Sequence, residues 1–421
     1  MAIKRVVLHL GMAKAGSSSI QHTLFHNTAI LKKNGFRYLN EWEESHLRKL
    51  HYLLSSHPVN PISTGHLGKP PADKKRQNKI SIETMLKVMN TTECETLIIS
   101  GEYFHDLWLD STIENISHFI DKYFKNRGIN VTIIYIIRNP LTWMISYLQQ
   151  TLYRVGFMNK HCDYFEVAMK KYRGIINLQK HFFDSLTLLK FEDACLDKDG
   201  LVGSYLKTIG FPEDELKNIH IHRTNESRCM EVMEFLYYVE SIEPRYPHAH
   251  YRYINRNSYF DDFSCIKDIK GVKFDLPYES KVELWGRFQE SVCLVKENTG
   301  IDYTDYIVPF PSSPSHEQKT YSEETIKGFI EAFPKLNFIL QKHFLTFFEK
   351  KHVETAQEKF KQLYFKNSVP HTLYNSKSVF FNLLSLRIKN KIRKIKKIAG
   401  ERIPLKIKRI YKKNFNSFFQ K

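Results

Sequence analysis

The most constraining stretch is Val131-Thr-Ile-Ile-Tyr-Ile-Ile137, seven consecutive residues in which every position suits burial. A strand with one face in water alternates apolar with polar side chains. A run without alternation belongs to a strand covered on both faces, as in parallel sheets sandwiched by helices. Shorter runs of the same character occur at 5–10 (RVVLHL), 97–100 and 185–191. Segments of helical spacing separate them: Ser17 to about Lys33, with Ile20, Leu24 and Leu31 on one face, and Pro140 to about Tyr153. Pro140 suits the first turn of its helix. Strand and helix alternate, so the expected architecture is α/β, with three layers around a mostly parallel sheet.

Beyond this half the pattern changes. Residues 231–299 read as helical and loop-rich. A long loop is expected over 57–79, rich in proline, glycine and lysine. The segment Pro309–Pro314 reads as a boundary. The expected division is a main domain over 1–310, a helical extension over 321–386 with Phe-rich faces, and a basic amphipathic tail over 387–421.

The chain has 421 residues, of which 42% are hydrophobic and 26% charged. That is ample for a full core and excludes a disordered or collagen-like chain. No segment approaches the ~20 apolar residues needed to span a bilayer, and the N-terminus does not read as a signal peptide. The six cysteines are scattered and none forms a C-x-x-C pair. They read as free thiols, and the chain is expected in the cytosol.

The net charge is +18, and from Arg387 onward 14 Lys and Arg face the single acid Glu401. An anionic partner is therefore expected mainly for the tail. Leu384, Ile388, Ile392 and Ile395 add an apolar stripe at helical spacing. Docking on an anionic membrane surface, at its inner face, is the preferred reading. An acidic glycan is an alternative. Nucleic acid is disfavoured as a partner, and a merely solvated tail is the plain alternative.

Two places carry chemistry. The first is Gly11-Met-Ala-Lys14-Ala15-Gly16-Ser17-Ser18-Ser19, between a strand and a helix. Glycines let successive backbone N–H groups converge on an anion, and the helix start adds partial positive charge. Three hydroxyls and Lys14 stand beside it. It is not a Walker A loop, which puts lysine directly after the second glycine. The plain alternative is a structural joint with Ser17 as an N-cap. The second place is Arg138, delivered by the 131–137 strand to the carboxyl edge of the sheet, where α/β proteins bind ligands. Ser146 follows two helical turns on. A guanidinium and a hydroxyl can hold one phosphate together. A phosphate-cleaving NTPase more often has an aspartate there for Mg²⁺. The plain alternative for Arg138 is an ion pair.

At these two places the chain resembles the sulfotransferase superfamily that uses 3′-phosphoadenosine 5′-phosphosulfate (PAPS), and within it the bacterial branch of surface and exopolysaccharide sulfotransferases. Gly11 to Ser18 resembles the family's G-x-x-K-[ST]-G-[ST]-[ST] loop. Arg138, Pro140, Ser146 and Gln150 resemble its second motif, and Phe191-Glu192-Asp193 extends the likeness weakly. Ala15 departs from the family's usual threonine. The resemblance implies a P-loop-like fold and sulfuryl transfer to a hydroxyl or amine of a carbohydrate acceptor, releasing 3′,5′-ADP without a metal. It implies that Lys14 stabilises the bridging oxygen. Ala15, Gly16, Ser17, Ser18 and Ser19 would cradle the 5′-phosphate, while Arg138 and Ser146 would hold the 3′-phosphate. Two candidates for the general base follow the 97–100 strand. Glu102 resembles the family's catalytic glutamate, and His105 is its rival on ordinary pKa.

Other classes remain open at this point. One is an NTP-dependent kinase or NTPase; another is a non-catalytic binder of anionic glycans or membranes on this fold. The pairs His220-Ile-His222 and His248-Ala-His250 have no carboxylate or cysteine cluster beside them in sequence, so they read as exposed or structural histidines. Trp143, Tyr147 and Tyr153 could line an acceptor cleft or pack in the core.

Overall fold

A computed structural model describes residues 2–55, 74–102, 107–155, 164–223, 227–242, 265–266, 268–309, 321–332, 335 and 347. All of these fall in one compact unit, residues 1–351. The elements run β1 (Arg5–Gly11), α1 (Ser17–His26), α2 (Thr28–Lys33), β2 (Phe36–Tyr38), α3 (Leu47–Leu54), α4 (Lys74–Thr91), β3 (Thr96–Ser100), α5 (Asp110–Tyr123) and β4 (Asn130–Ile137). They continue as α6 (Pro140–Val155), α7 (Tyr164–Phe182), β5 (Leu186–Lys190), α8 (Phe191–Leu196), α9 (Gly200–Thr208), α10 (Met230–Ile242), α11 (Tyr278–Thr299) and α12 (Glu323–Ala332).

The five strands form one sheet in the order β2-β3-β1-β4-β5. Every pairing is parallel; Arg5 lies opposite both Thr96 and Asn130, and Ile133 lies opposite Leu186. Val6, Val7, Leu8 and Leu10 of β1 and Ile133, Ile134, Ile136 and Ile137 of β4 have no solvent exposure. Side chains alternate between the faces of a strand, so both faces are covered, as the unbroken apolar runs require. This is the α/β three-layer, P-loop-like architecture.

Strand order positions the site. The chain leaves β1 toward β2 at one edge and leaves β4 toward β5 at the other. The carboxyl ends of β1 and β4 therefore flank the switch point, where connections on opposite sides of the sheet leave a crevice. The glycine loop follows β1, and Arg138 follows β4.

The structure corrects several expectations. The helix expected over 17–33 is two helices. Asn27 sits between them with φ −104° and ψ 23°. Its Nδ2 donates both to Thr23 O and to His220 O at 2.8 Å, and its Oδ1 accepts the His220 N–H at 2.9 Å. A side chain that bonds local and distant backbone in this way competes with the helix ladder. The loop expected over 57–79 ends earlier, because α4 is already helical at Lys74; residues 56–73 lie outside the described residues. The strand expected over 185–191 stops at Lys190, and Phe191 opens a helix. Strand β2 was not expected.

Residues 321–332 pack on α10. Tyr321 donates its hydroxyl to Glu234 Oε2 at 2.7 Å, and Phe329 meets Phe235 edge-on at 6.2 Å. The tail, 387–421, lies outside the described residues. No helix among the described residues is long and apolar enough to cross a membrane. The described cysteines are free thiols.

Candidate active site

The loop after β1 begins with a register shift between His9 and Gly11, where the chain leaves the ladder. Met12 N–H still reaches Ile136 O at 3.0 Å, and Ala15 N–H turns back onto Met12 O at 3.1 Å. The turn requires left-handed backbone, with φ 69° at Lys14 and 80° at Gly16. Gly16 has a second reason to be glycine: a Cβ there would stand 2.0 Å from Leu201 Cδ2.

Gly16, not Ser17, is the N-cap of α1, and no side chain caps the helix. The first intrahelical bond is Ile20 N–H to Gly16 O at 3.2 Å. The N–H groups of Ser17, Ser18 and Ser19 come before the first i to i−4 bond, and no acid occupies the first turn. That end is electropositive and suited to an anion. The hydroxyls divide. Ser17 is buried and donates to Met12 O at 3.2 Å, bracing the loop from within. Ser18 and Ser19 are half-buried, as is Lys14, while Ala15 is fully enclosed.

Arg138 joins the two halves of the site. Its Nη1 donates to Lys14 O at 2.6 Å, and its Nε donates to Thr142 Oγ1 at 3.1 Å. Its guanidinium lies 4.7 Å over the Phe191 ring. Burial lowers the guanidinium's pKa from its ordinary value, and the nearby Glu192 charge opposes that shift. The two bonds use two of five N–H donors. Ser146 is half-buried and stands one turn beyond Thr142 on the same stripe of α6.

Sequence reasoning missed the support beneath Arg138. Glu192 Oε1 accepts the Asn139 N–H at 3.0 Å and the Thr142 hydroxyl at 3.3 Å. Tyr303, 4% exposed, places its hydroxyl 3.0 Å from both Glu192 Oε2 and Ile137 O. Tyr172 OH donates to Arg138 O. Asn139 caps α6, its Oδ1 accepting Leu141 N–H at 3.0 Å. The one advance signal was Phe191-Glu192-Asp193 directly after a strand.

Glu102 lies at the carboxyl end of β3, half-buried, and its backbone carbonyl passes 3.2 Å from where a Cβ on Gly11 would sit. The strand end before it is held firmly. Ser100 Oγ lies 2.8 Å from His9 Nδ1 and 3.2 Å from Gln21 Nε2, and Ser100 N–H donates to His46 Nδ1 at 3.0 Å. Gly101 N–H reaches His9 O at 2.9 Å. His105 lies outside the described residues. Trp143 is fully buried, with Nε1 donating to Ala13 O at 2.7 Å, so it packs under the loop and does not line a cleft. Tyr147 stacks on it at 5.0 Å, and the Tyr153 side chain lies outside the described residues.

A cavity of about 860 Å³ opens at Ser19, with Leu201, Ile219 and the acidic Asp197, Asp199, Glu213 and Asp214 in its walls; Ser19 is the one candidate site residue that reaches it, and Arg138 does not line it. Ligand cavities commonly have this scale.

Fold and site together define a P-loop-like α/β protein with a glycine loop, an electropositive helix start and a buried arginine at its topological switch point. Neither a family model nor a curated protein matches the chain. Solved structures that it resembles include a sulfotransferase from Alicyclobacillus acidocaldarius, at 13% identity over 58% of this chain and 92% of that one, with a TM-score of 0.32. The sulfotransferase domain from the curacin biosynthetic pathway has 12% identity over 68% and 98% of the two chains, at a TM-score of 0.32. A retinol dehydratase in complex with androsterone and the inactive cofactor PAP has 13% identity over 72% and 84%, at a TM-score of 0.31.

Proposed function

We propose that this chain transfers a sulfuryl group from PAPS to a hydroxyl or amine of a carbohydrate acceptor, a cell-surface polysaccharide or its precursor. One observation carries the reading. Across the switch point, the arginine after β4 is bonded to the loop after β1, Arg138 Nη1 to Lys14 O at 2.6 Å. Two anion-binding elements thus meet in one crevice, as a bisphosphorylated nucleotide requires. The carbohydrate acceptor rests on the sequence resemblance.

The residues fit such a donor. Leu201 packs where a Gly16 Cβ would sit, so the loop keeps its tight left-handed turn into the uncapped start of α1. The N–H groups of Ser17, Ser18 and Ser19 hold the 5′-phosphate end, with Ser18 and Ser19 adding hydroxyls. Arg138 and Ser146 hold the 3′-phosphate. When bound, PAPS supplies an activated sulfuryl group and a stable bisphosphate leaving group. Lys14 brings positive charge to the oxygen that leaves, and Glu102 accepts the proton that the acceptor loses. Positioning and preorganised charge supply the acceleration.

The test is calorimetric titration of wild type and Arg138→Ala with 3′,5′-ADP and with ATP–Mg²⁺. Wild type is expected to prefer 3′,5′-ADP without added metal. The variant is expected to lose about 2–5 kcal/mol, as on truncating one partner of a buried charge-assisted pair. A preference for ATP–Mg²⁺ would point to a kinase or NTPase, and binding of neither would reject the nucleotide site. The tail, on the same proposal, docks the enzyme on an anionic membrane. Liposome flotation with and without residues 387–421 checks that, and equal binding by both forms refutes it.

A further inference from the structure

The far end of α1 carries a second cluster that nucleotide binding does not use. His22 and His26 are one helical turn apart and share a face. Glu44 approaches from the segment after residues 40–42, and its Oε1 pairs with His22 Nδ1. One ligand atom from each of His22, His26 and Glu44 lies within 4.8 Å of the others. The His222 ring stacks on His26 at 4.6 Å, and His220 meets His222 edge-on, also at 4.6 Å.

This gathering is built into the fold. His222 N–H donates to Thr23 Oγ1 at 3.0 Å, and His220 is tied through both backbone groups to the Asn27 side chain. Tyr38 OH donates to Glu44 O at 2.6 Å. Spacing along the chain leaves His220 and His222 without partners, but the fold supplies two more histidines and a carboxylate.

We propose that His22, His26 and Glu44 form a binding site for a divalent transition-metal ion of the zinc type, with the neighbouring His222 as the fourth donor once its ring turns off the His26 stack. Three imidazole nitrogens and one carboxylate oxygen are the donors that zinc takes in four-coordinate sites. Magnesium and calcium take oxygen sets and do not fit it. Around a tetrahedral ion with bonds of ~2.1 Å, ligand atoms stand ~3.4 Å apart. The observed spread of the His22, His26 and Glu44 ligand atoms closes by small side-chain rotations. These are available because His26 is exposed, and the His22 and Glu44 side chains keep 39% and 33% of their surface.

The ion clamps three segments distant in sequence: α1, the loop at Glu44 and residues 219–223. At a rise of ~1.5 Å per residue, His22 and His26 lie roughly 8–14 Å along the axis from Ser17. The ion therefore stands apart from the anion cradle and takes no part in group transfer. The inference does not depend on the proposed activity.

The experiment uses the full chain without a histidine tag, stripped with chelator and titrated with Zn²⁺ by calorimetry and with Co²⁺ by visible absorption. Wild type is expected to bind one tight equivalent, to show tetrahedral Co²⁺ bands and to gain thermal stability with stoichiometric Zn²⁺. His22→Gln/His26→Gln is expected to lose affinity by more than the ~10–100-fold typical of removing an outer-shell partner. His26→Gln alone, at an exposed position that leaves the fold intact, is expected to abolish the Co²⁺ bands. His248→Ala/His250→Ala is expected to keep the equivalent. The proposal is overturned if wild type binds no tight equivalent. It is equally overturned if the His26→Gln spectrum matches wild type, or if the equivalent disappears with His248 and His250 instead.

Discussion

Replacing Gly16 by alanine tests whether the cradle is built from backbone. Gly16 has φ 80°, where an L-residue with a Cβ costs roughly 1–2 kcal/mol. The new Cβ would also stand 2.0 Å from Leu201 Cδ2. Leu201 is half-buried and its methyl is the end of a flexible side chain, so it moves aside at the ~1–3 kcal/mol typical of overpacking. The two costs separate in a double-mutant cycle. Gly16→Ala alone is expected to lose about 2–5 kcal/mol in urea unfolding. Paired with Leu201→Ala, the steric part vanishes and the backbone part stays, giving a coupling of ~1–3 kcal/mol. Affinity for 3′,5′-ADP, measured on the same proteins, should fall in both Gly16 variants, because the strained φ misaims the N–H groups of Ser17 and Ser18 whether or not Leu201 is present. Zero coupling would show that Leu201 does not pack over Gly16. Wild-type affinity in Gly16→Ala would show that the anion binds elsewhere.

Three further outcomes follow from the same geometry. Glu102→Gln is expected to lower kcat by ~10²–10⁴ with 3′,5′-ADP affinity unchanged, and wild-type turnover would remove Glu102 as the base. Tyr303→Phe removes the hydroxyl shared by Glu192 and Ile137 O; a loss of ~1–3 kcal/mol in urea-unfolding free energy with weaker 3′,5′-ADP binding is expected, and neither effect appearing would refute the Glu192 support. His9 and His46 are fully buried, and burial pushes their pKa values down to about 4 and about 3. Unfolded histidine titrates near 6.5, so the unfolded chain binds the extra protons, and stability present above about pH 6.5 is lost as pH falls toward 4 and 3. His9 contributes about 3 kcal/mol and His46 about 5 kcal/mol, and His9→Gln/His46→Gln should flatten the profile of urea-unfolding free energy over that window; an unchanged slope would refute the assignment.

Much of the sheet was legible because buried parallel strands write themselves as unbroken apolar runs. The Val131–Ile137 run marks β4 to within one residue, and 97–100 marks β3 similarly. Strand β2, Phe36–Tyr38, is too short to carry a period and exists because Phe36, Arg37 and Tyr38 pair with Thr96, Leu97 and Ile98. The break at Asn27 was hidden for another reason: its cause is a bond to His220, far along the chain. The meeting of the loop with Arg138 was legible because both follow buried strands, and strand ends converge at one edge of a parallel sheet. Thr142, Glu192 and Tyr303 were not, since hydrogen bonds among distant segments leave no mark on local spacing. The same holds for Glu44 beside His22 and His26.

The support beneath Arg138 explains how one residue can serve both the protein and a ligand. Burial alone opposes a guanidinium, and Glu192 offsets that cost only while its carboxylate stays in place. Three donors hold it there: Asn139 N–H, Thr142 Oγ1 and Tyr303 OH. Phe191 forms the floor, and the bond to Lys14 O fixes the guanidinium against the loop. A side chain so confined has little rotamer freedom left to lose when an anion arrives. The bond also acts in reverse. By holding the Lys14 carbonyl it stabilises the left-handed backbone at Lys14, and with it the aim of the N–H groups that follow. On the proposed function, binding at the loop and binding at the arginine are therefore coupled through one hydrogen bond. A bisphosphate that engages both should bind more tightly than the separate affinities of two monophosphates would give.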